Sequence, residues 1–201
     1  MKLYYSPLAC SLADHIALRE AGFAFDLERV DLKTHRTATG RDFREVSTKA
    51  YVPVLVLDDG EMITENVAVL DWIGTAAPGL SAEGPLGRTR TLEALTYITT
   101  EIHHAFKPMW HGGSVEETAK AGARVTALLE LFAGSLTSDY LFSDRPGVAD
   151  FYLFVMLLWA ERFDVTTPVR LEGLRDRMRA RPAVRAAMVY EGLLPGETAT
   201  R

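Results

Sequence analysis

Apolar positions along the chain follow two regimes. As far as about residue 75, short apolar runs alternate with helical spacing, whereas beyond residue 87 only helical spacing persists. Lys2–Tyr5 reads as a short strand. Ser11–Ala21 reads as a helix with Leu12, Ile16 and the stem of Arg19 on one face. Gly22 suits the left-handed position that closes such a helix. Phe25–Leu32 is strand-like and Val52–Leu57 is an apolar run. Asp59-Gly60 is a hairpin signal leading into Met62-Ile63-Thr64, and a second helix follows from Asn66 to Thr75. The order β-α-β, a variable stretch, then β-β-α predicts a small α/β sandwich on a four-stranded mixed sheet.

Pro78-Gly79 and Gly84-Pro85-Leu86-Gly87 then interrupt both flanking patterns, so the chain divides into 1–77, a linker at 78–87, and 88–201. In the last part, Leu92, Leu95, Ile98, Ile102 and Phe106 predict one helix from Arg88 to Trp110. Ala119, Ala123, Leu128, Leu131 and Phe132 predict another from Glu116 to Leu136. Gly147–Phe163 is apolar nearly all round, as the central helix of a bundle would be. Arg181-Pro182 precedes a short helix to Tyr190. An all-helical second domain is expected.

Composition narrows the function classes. At 201 residues, with 48% hydrophobic and 24% charged residues, the chain has the make-up of a folded globular protein. Its 22 Lys+Arg against 27 Asp+Glu are scattered, which disfavours a nucleic-acid partner. The longest apolar run, Phe151–Ala160, is about half of what a helix needs to cross a bilayer, so no membrane role is expected. Pro7 follows too few apolar residues for a secretory signal, and a cytoplasmic location is expected. One cysteine, Cys10, excludes an internal disulfide and any cysteine-rich metal site, and no metal is expected.

That cysteine stands where the first strand turns into the first helix. Its sulfur would meet unpaired backbone N–H groups and the positive helix end, which favours a thiolate nucleophile; a buried, inert thiol is the competing reading. Cys10-Ser11-Leu12-Ala13 lacks the second cysteine of a dithiol motif, so redox chemistry would borrow its partner thiol from a small molecule. Val52-Pro53 opens the apolar strand. X-Pro bonds are cis in only about 5–6% of cases, so on this base rate alone the trans isomer is expected. A cis bond would leave the Val52 backbone free for an extended, peptide-like ligand. Glu65-Asn66 opens the second helix, where N–H groups attract a carboxylate and Glu65 can take an ammonium; an ordinary N-cap is the plainer reading.

Together, Ser-Pro-Leu-Ala-Cys-Ser at 6–11, Val52-Pro53, Thr64-Glu65-Asn66 and Val148-Ala149-Asp150 resemble the glutathione transferases. The likeness is strongest to the bacterial beta class, marked by a cysteine at the start of the first helix. It runs along nearly the whole chain, through His-Ile-Ala-Leu-Arg-Glu at 15–20 and Val-Asp-Leu-Lys-Thr at 30–34. The resemblance implies a thioredoxin-like N-terminal domain joined to an all-α helical bundle, and a homodimer with active sites near the subunit cleft.

It also implies a detoxifying transferase with glutathione as co-substrate and a hydrophobic electrophile or a disulfide as second substrate. Cys10 would contact the glutathione sulfur or form a mixed disulfide with it, with Ala9 beside it. Val52 and Pro53 would hold the cysteinyl backbone, Glu65 and Asn66 the γ-glutamyl end, and Lys49 and His35 the glycyl carboxylate. In Glu101-Ile102-His103-His104, His103 would take the family's active-site histidine role and His104 would replace a lysine. Phe106, Met109 and Trp110 would line the electrophile pocket.

The chain departs from the family pattern at several of these positions. Leu8 stands where the family commonly has Gly, and Ser47-Thr48-Lys49-Ala50 replaces Asn-Pro-Lys-Gly. Asn66 replaces Gly or Ser, and Gly147 replaces the hydroxyl residue of the helix-start box that ends in Asp150. The changes at Leu8 and at Ser47–Ala50 motivate a rival reading, a non-catalytic binding protein on the same scaffold.

Overall fold

The computed structural model describes residues 1–134, 136 and 138–195. Residues 135 and 137, inside or just beyond the expected helix 116–136, and residues 196–201 of the expected second domain lie outside the described residues.

Strands β1 (Lys2–Tyr5), β2 (Asp26–Asp31), β3 (Arg36–Thr37), β4 (Val54–Val56) and β5 (Met62–Thr64) form one sheet in the order β3-β2-β1-β4-β5. β1 and β2 are parallel and every other pair is antiparallel. The expected four-stranded sheet therefore has a fifth strand, β3. Two residues are too few to show an alternating pattern, and β3 is set by its pairing with β2, Val30 with Thr37 and Asp31 with Arg36.

Alternation places Leu3 and Tyr5 of β1 on the main core, and Tyr4 on a small second core with Val30, Phe43, Val52 and Val54. Helices α1 (Ser11–Glu20) and α2 (Asn66–Ala76) cover the main-core face. Gly22, at φ 72, closes α1 as expected, and the Phe23 N–H turns back to the Leu18 carbonyl at 3.1 Å.

The remainder is helical: α3 (Gly87–Tyr97), α4 (Lys107–Trp110), α5 (Val115–Gly134), α6 (Val148–Arg162), α7 (Val169–Ala180) and α8 (Pro182–Tyr190). The single helix expected over 88–110 is broken. Between α3 and α4 the backbone widens into a π-helix over Ile98–His103. Ile98, Ile102 and Phe106 all stay buried, so the apolar spacing gives no sign of the wider turn.

The central helix is as the sequence suggests, with every residue from Val148 to Ala160 buried. It packs against α1, which also touches α8, so the two halves of the chain share one core. Gly147 has a steric reason to replace the hydroxyl residue at the start of α6. A Cβ there would stand 2.6 Å from the Leu80 carbonyl oxygen. A glycine has no side chain to complete a capping box, and Asp150 alone supplies its acceptors. Its Oδ2 accepts from the Gly147 N–H at 2.9 Å, and its Oδ1 accepts from the Leu141 N–H at 2.9 Å.

Candidate active site

Cys10 caps α1, one residue before its first turn, as the sequence suggests. Its chemistry differs from the expectation. The N–H groups of Ser11 and Cys10 do lower the thiol pKa, but burial outweighs them, with the nearby Asp14 carboxyl adding to it, and pushes the thiol up to about 12. The residue keeps some exposed surface, yet near neutral pH the sulfur is held as a thiol rather than a thiolate. The thiol also points at the Val52 carbonyl, at a long 3.8 Å.

Val52-Pro53 is cis. The Val52 N–H has no hydrogen-bond partner among the described residues, since β4 pairing begins only at Val54. A backbone donor and a backbone acceptor thus stand side by side at the Cys10 sulfur.

Beneath the thiol, Asp14 is fully buried, and burial raises its carboxyl well above the ordinary range. Asn66 is the first residue of α2 and also buried, with Glu65 in the cap position before it. Its amide, oriented by its surroundings, donates to Asp14 Oδ2 at 2.8 Å and to the Cys10 carbonyl at 3.0 Å. The side chain expected to meet a ligand is turned inward, where it braces the Cys10 turn against α2. Only the helix-end N–H groups of residues 66–68 remain for an anion.

On the rim above, Glu65 sits at φ 74 and pairs with the Lys49 ammonium, while the Tyr51 hydroxyl donates to Glu65 Oε1 at 2.7 Å. The Lys49 partner first, then Tyr51, holds Glu65 below the usual carboxylate range. Lys49 also donates to Thr64 Oγ1 at 2.9 Å. Two groups expected on opposite ends of a zwitterionic peptide therefore neutralise one another. His35 lies in the β2–β3 turn at φ 54, its carbonyl accepting from the Phe43 N–H at 2.8 Å.

The Leu8 to Cys10 turn is pinned from the helical half of the chain. Leu8 occupies the left-handed region, φ 59, which L residues avoid because Cβ crowds the following carbonyl. Its N–H donates to Glu191 Oε2 at 3.1 Å, and its carbonyl accepts from Trp159 Nε1 at 2.7 Å. The Leu8 side chain packs on the main core, and the Ala9 N–H returns to the Ser6 carbonyl at 3.0 Å.

Glu191 itself belongs to a buried chain. Arg19 Nε donates to His15 Nε2 at 2.8 Å, which leaves the proton on His15 Nδ1, and this nitrogen donates to Glu191 Oε1 at 2.9 Å. Burial, then the Arg19 charge, pushes His15 down to about 3. Burial also raises Glu191 to about 8, against the pull of the Leu8 N–H. Two donors aimed at its two oxygens favour the carboxylate.

His103 ends the π-helical segment, part-buried, with its ring edge-on to Trp159 at a centroid distance of 4.8 Å. Its Nδ1 is 2.7 Å from the Tyr152 hydroxyl. Burial, then His104, pushes the imidazole down to about 4, so it is neutral near pH 7. His104 is exposed beside it. Phe106 is a correction. It is fully buried, edge-on to Trp159 and packed on Phe163, so it belongs to the core and lines no pocket. Trp110 is part-exposed and leans on Trp159 and Phe163. Met109 borders an open cleft of about 670 Å³ with Thr118, Gly122, Thr126 and Val165, which none of Cys10, Val52 and Glu65 touches.

The sequence reading missed Asp14, Tyr51, Tyr152, Trp159 and Glu191 as parts of this site. Among the described residues no group of His, Cys, Asp and Glu is arranged to hold a metal, and no helix is long and apolar enough to cross a membrane.

The family models for the glutathione S-transferase N-terminal domain and C-terminal domain match residues 9–76 and 95–182. Glutathione S-transferase GstA of Escherichia coli O157:H7 is 38% identical over 96% of this chain and all of its own. A sphingomonad glutathione S-transferase solved in complex with glutathione superposes with a TM-score of 0.89 at 41% identity, over 96% of this chain and 100% of that one. The bacterial beta class enzyme of Sphingomonas chungbukensis gives 0.88 at 40% identity, with the same coverage.

Proposed function

Because the chain belongs to the glutathione S-transferase family, we propose that it binds glutathione along Val52 and the start of α2 and transfers its sulfur to a hydrophobic electrophile. The observation that carries the binding mode is the unpaired Val52 N–H beside its carbonyl, a two-bond edge for a cysteinyl backbone at the Cys10 sulfur. The γ-glutamyl carboxylate would take the free N–H groups of α2, and its ammonium would displace Lys49 from Glu65. The freed Lys49 then turns to the glycyl carboxylate.

The bound thiolate attacks the electrophilic carbon, a sulfur–carbon bond forms and the leaving group departs with its electron pair. Cys10, held as a thiol by burial, donates a hydrogen bond to that sulfur, and the neutral His103 offers a second polar contact. The same burial makes conjugation the favoured chemistry over disulfide exchange through Cys10, which needs its thiolate. Trp110, which leans on Trp159, borders the side where an apolar partner would enter. We also propose a cytoplasmic, detoxifying homodimer whose glutathione-binding unit ends near residue 77 and whose helical unit begins near 88. The catalytic names of its relatives favour this reading over the non-catalytic scaffold.

A titration with reduced glutathione, followed by turnover of an activated aryl halide, tests the proposal. Stabilisation that rises with the logarithm of glutathione concentration and reaches about 2.7 kcal/mol at a hundredfold excess over Kd is expected, with turnover. No stabilisation at millimolar glutathione would return the rival scaffold reading.

A further inference from the structure

We propose that Tyr152 is a positioning residue that acts through His103, fixing the imidazole as the Nε2–H tautomer so that this N–H faces the reacting sulfur. The inference rests on the reading of His103 as a member of the active site. Tyr152 is buried on α6, and its hydroxyl has two polar neighbours: His103 Nδ1 at 2.7 Å and Thr99 Oγ1 at 3.3 Å.

A buried hydroxyl has one proton to give, and the shorter contact runs to the better acceptor, a neutral imidazole nitrogen. Thr99 then donates to the phenol oxygen, so the Tyr152 and Thr99 hydroxyls and His103 Nδ1 each have a partner. With Nδ1 occupied as an acceptor, the ring proton must sit on Nε2. That nitrogen has no partner among the described residues and is not among the enclosed, unpartnered polar atoms, so it stays open to a ligand.

The ring is also fixed in plane. Its edge packs on Trp159 at 81°, and the indole N–H of Trp159 holds the Leu8 carbonyl two residues before Cys10. The π-helical turn over Ile98–His103 places Thr99 and His103, four residues apart, both on the Tyr152 hydroxyl. The groups facing this cluster are Cys10 and Asp14 from α1 and His104 beside His103. Negative charge on Cys10 or Asp14 would raise the phenol further, which keeps Tyr152 protonated and able to donate.

A purely structural tyrosine would affect stability alone. Tyr152→Phe keeps the ring and removes the donor. It is expected to lower kcat/KM for the electrophile by about tenfold near neutral pH, the size of one neutral hydrogen bond, and to move the glutathione ionisation limb of the pH profile upward. KM for glutathione should change by less than about twofold, since the peptide contacts lie elsewhere. In a His103→Ala background, Tyr152→Phe should add no further loss. Nitrogen NMR of the wild-type imidazole should find the proton on Nε2, and this measurement stands even if the Phe variant does not fold.

A proton on Nδ1, an unchanged pH profile, or fully additive losses would each overturn the proposal. If His103→Ala is slow while Tyr152→Phe is not, the positioning has failed and the role of His103 survives. If His103→Ala is fully active while Nε2 carries the proton, it is the role of His103 that has failed, and Tyr152 then positions nothing that matters.

Discussion

The rim and the floor of the proposed glutathione site use ionisable side chains to opposite ends. On the rim, Glu65, Lys49 and Tyr51 are solvent-facing, and their mutual bonds hold Glu65 ionised. On the floor, Cys10, Asp14, His15 and Glu191 are enclosed, and burial drives each toward its uncharged form. Exposed pairs contribute little to stability but can be exchanged for a charged ligand, whereas enclosed groups have no water to fall back on and must keep their partners. The rim is thus suited to binding and the floor to holding shape.

The largest effect should come from the floor. Glu191→Ala leaves the His15 Nδ1–H and the Leu8 N–H without acceptors, and a loss of about 3 kcal/mol in stability is expected from denaturant unfolding. A variant as stable as the wild type would show that the buried chain is idle.

Next comes the thiol. Alkylation of Cys10 by a neutral reagent at pH 8 should run roughly a hundredfold slower in the folded, ligand-free protein than in the denatured chain, after allowance for the residue's partial exposure. Because the folded pKa lies above the unfolded one, the matching stability term is complete below the ordinary thiol range and is lost as pH rises from there toward 12. Fast alkylation at pH 8 would erase the contrast between floor and rim at its most important atom.

A smaller effect of opposite sign belongs to the rim loop. Ala50 sits at φ 58, a conformation in which a Cβ is a burden, so Ala50→Gly should stabilise the fold by about 1 kcal/mol in thermal unfolding. The smallest is Glu65→Gln. Its pairs are exposed, so stability should change by less than about 0.5 kcal/mol, while glutathione affinity by calorimetry falls about tenfold. A stability loss as large as that of Glu191→Ala would make rim and floor one structure.

What the sequence made legible follows from how local each signal is. Cys10, Val52-Pro53 and Glu65 stand at junctions between elements, where chain breakers and apolar runs mark the backbone, and all three meet at one site. The bracing residues carry no such mark. Tyr152 and Trp159 lie within a helix apolar on every side, where a polar handle is hidden among core residues. Glu191 is one acid after α8 whose partners lie 176 and 183 positions away. Phe106 was misplaced because helical spacing tells which face is apolar but not whether that face meets a pocket or a neighbouring helix. Asn66 opens α2 as the pattern predicts, but its amide direction depends on Asp14, which the helical pattern presents as one more polar residue of α1.

The peptide unit at Leu8, gripped on its N–H side by Glu191 and on its carbonyl side by Trp159, bears on how this protein can be recombined. The two family models leave residues 77–94 between them, which invites swapping the helical half for a relative's to change the choice of electrophile. A swapped half that lacks either grip would bring a new pocket and at the same time release the turn that aims the sulfur. Such chimeras should be designed around the pair at 159 and 191 first and the pocket second.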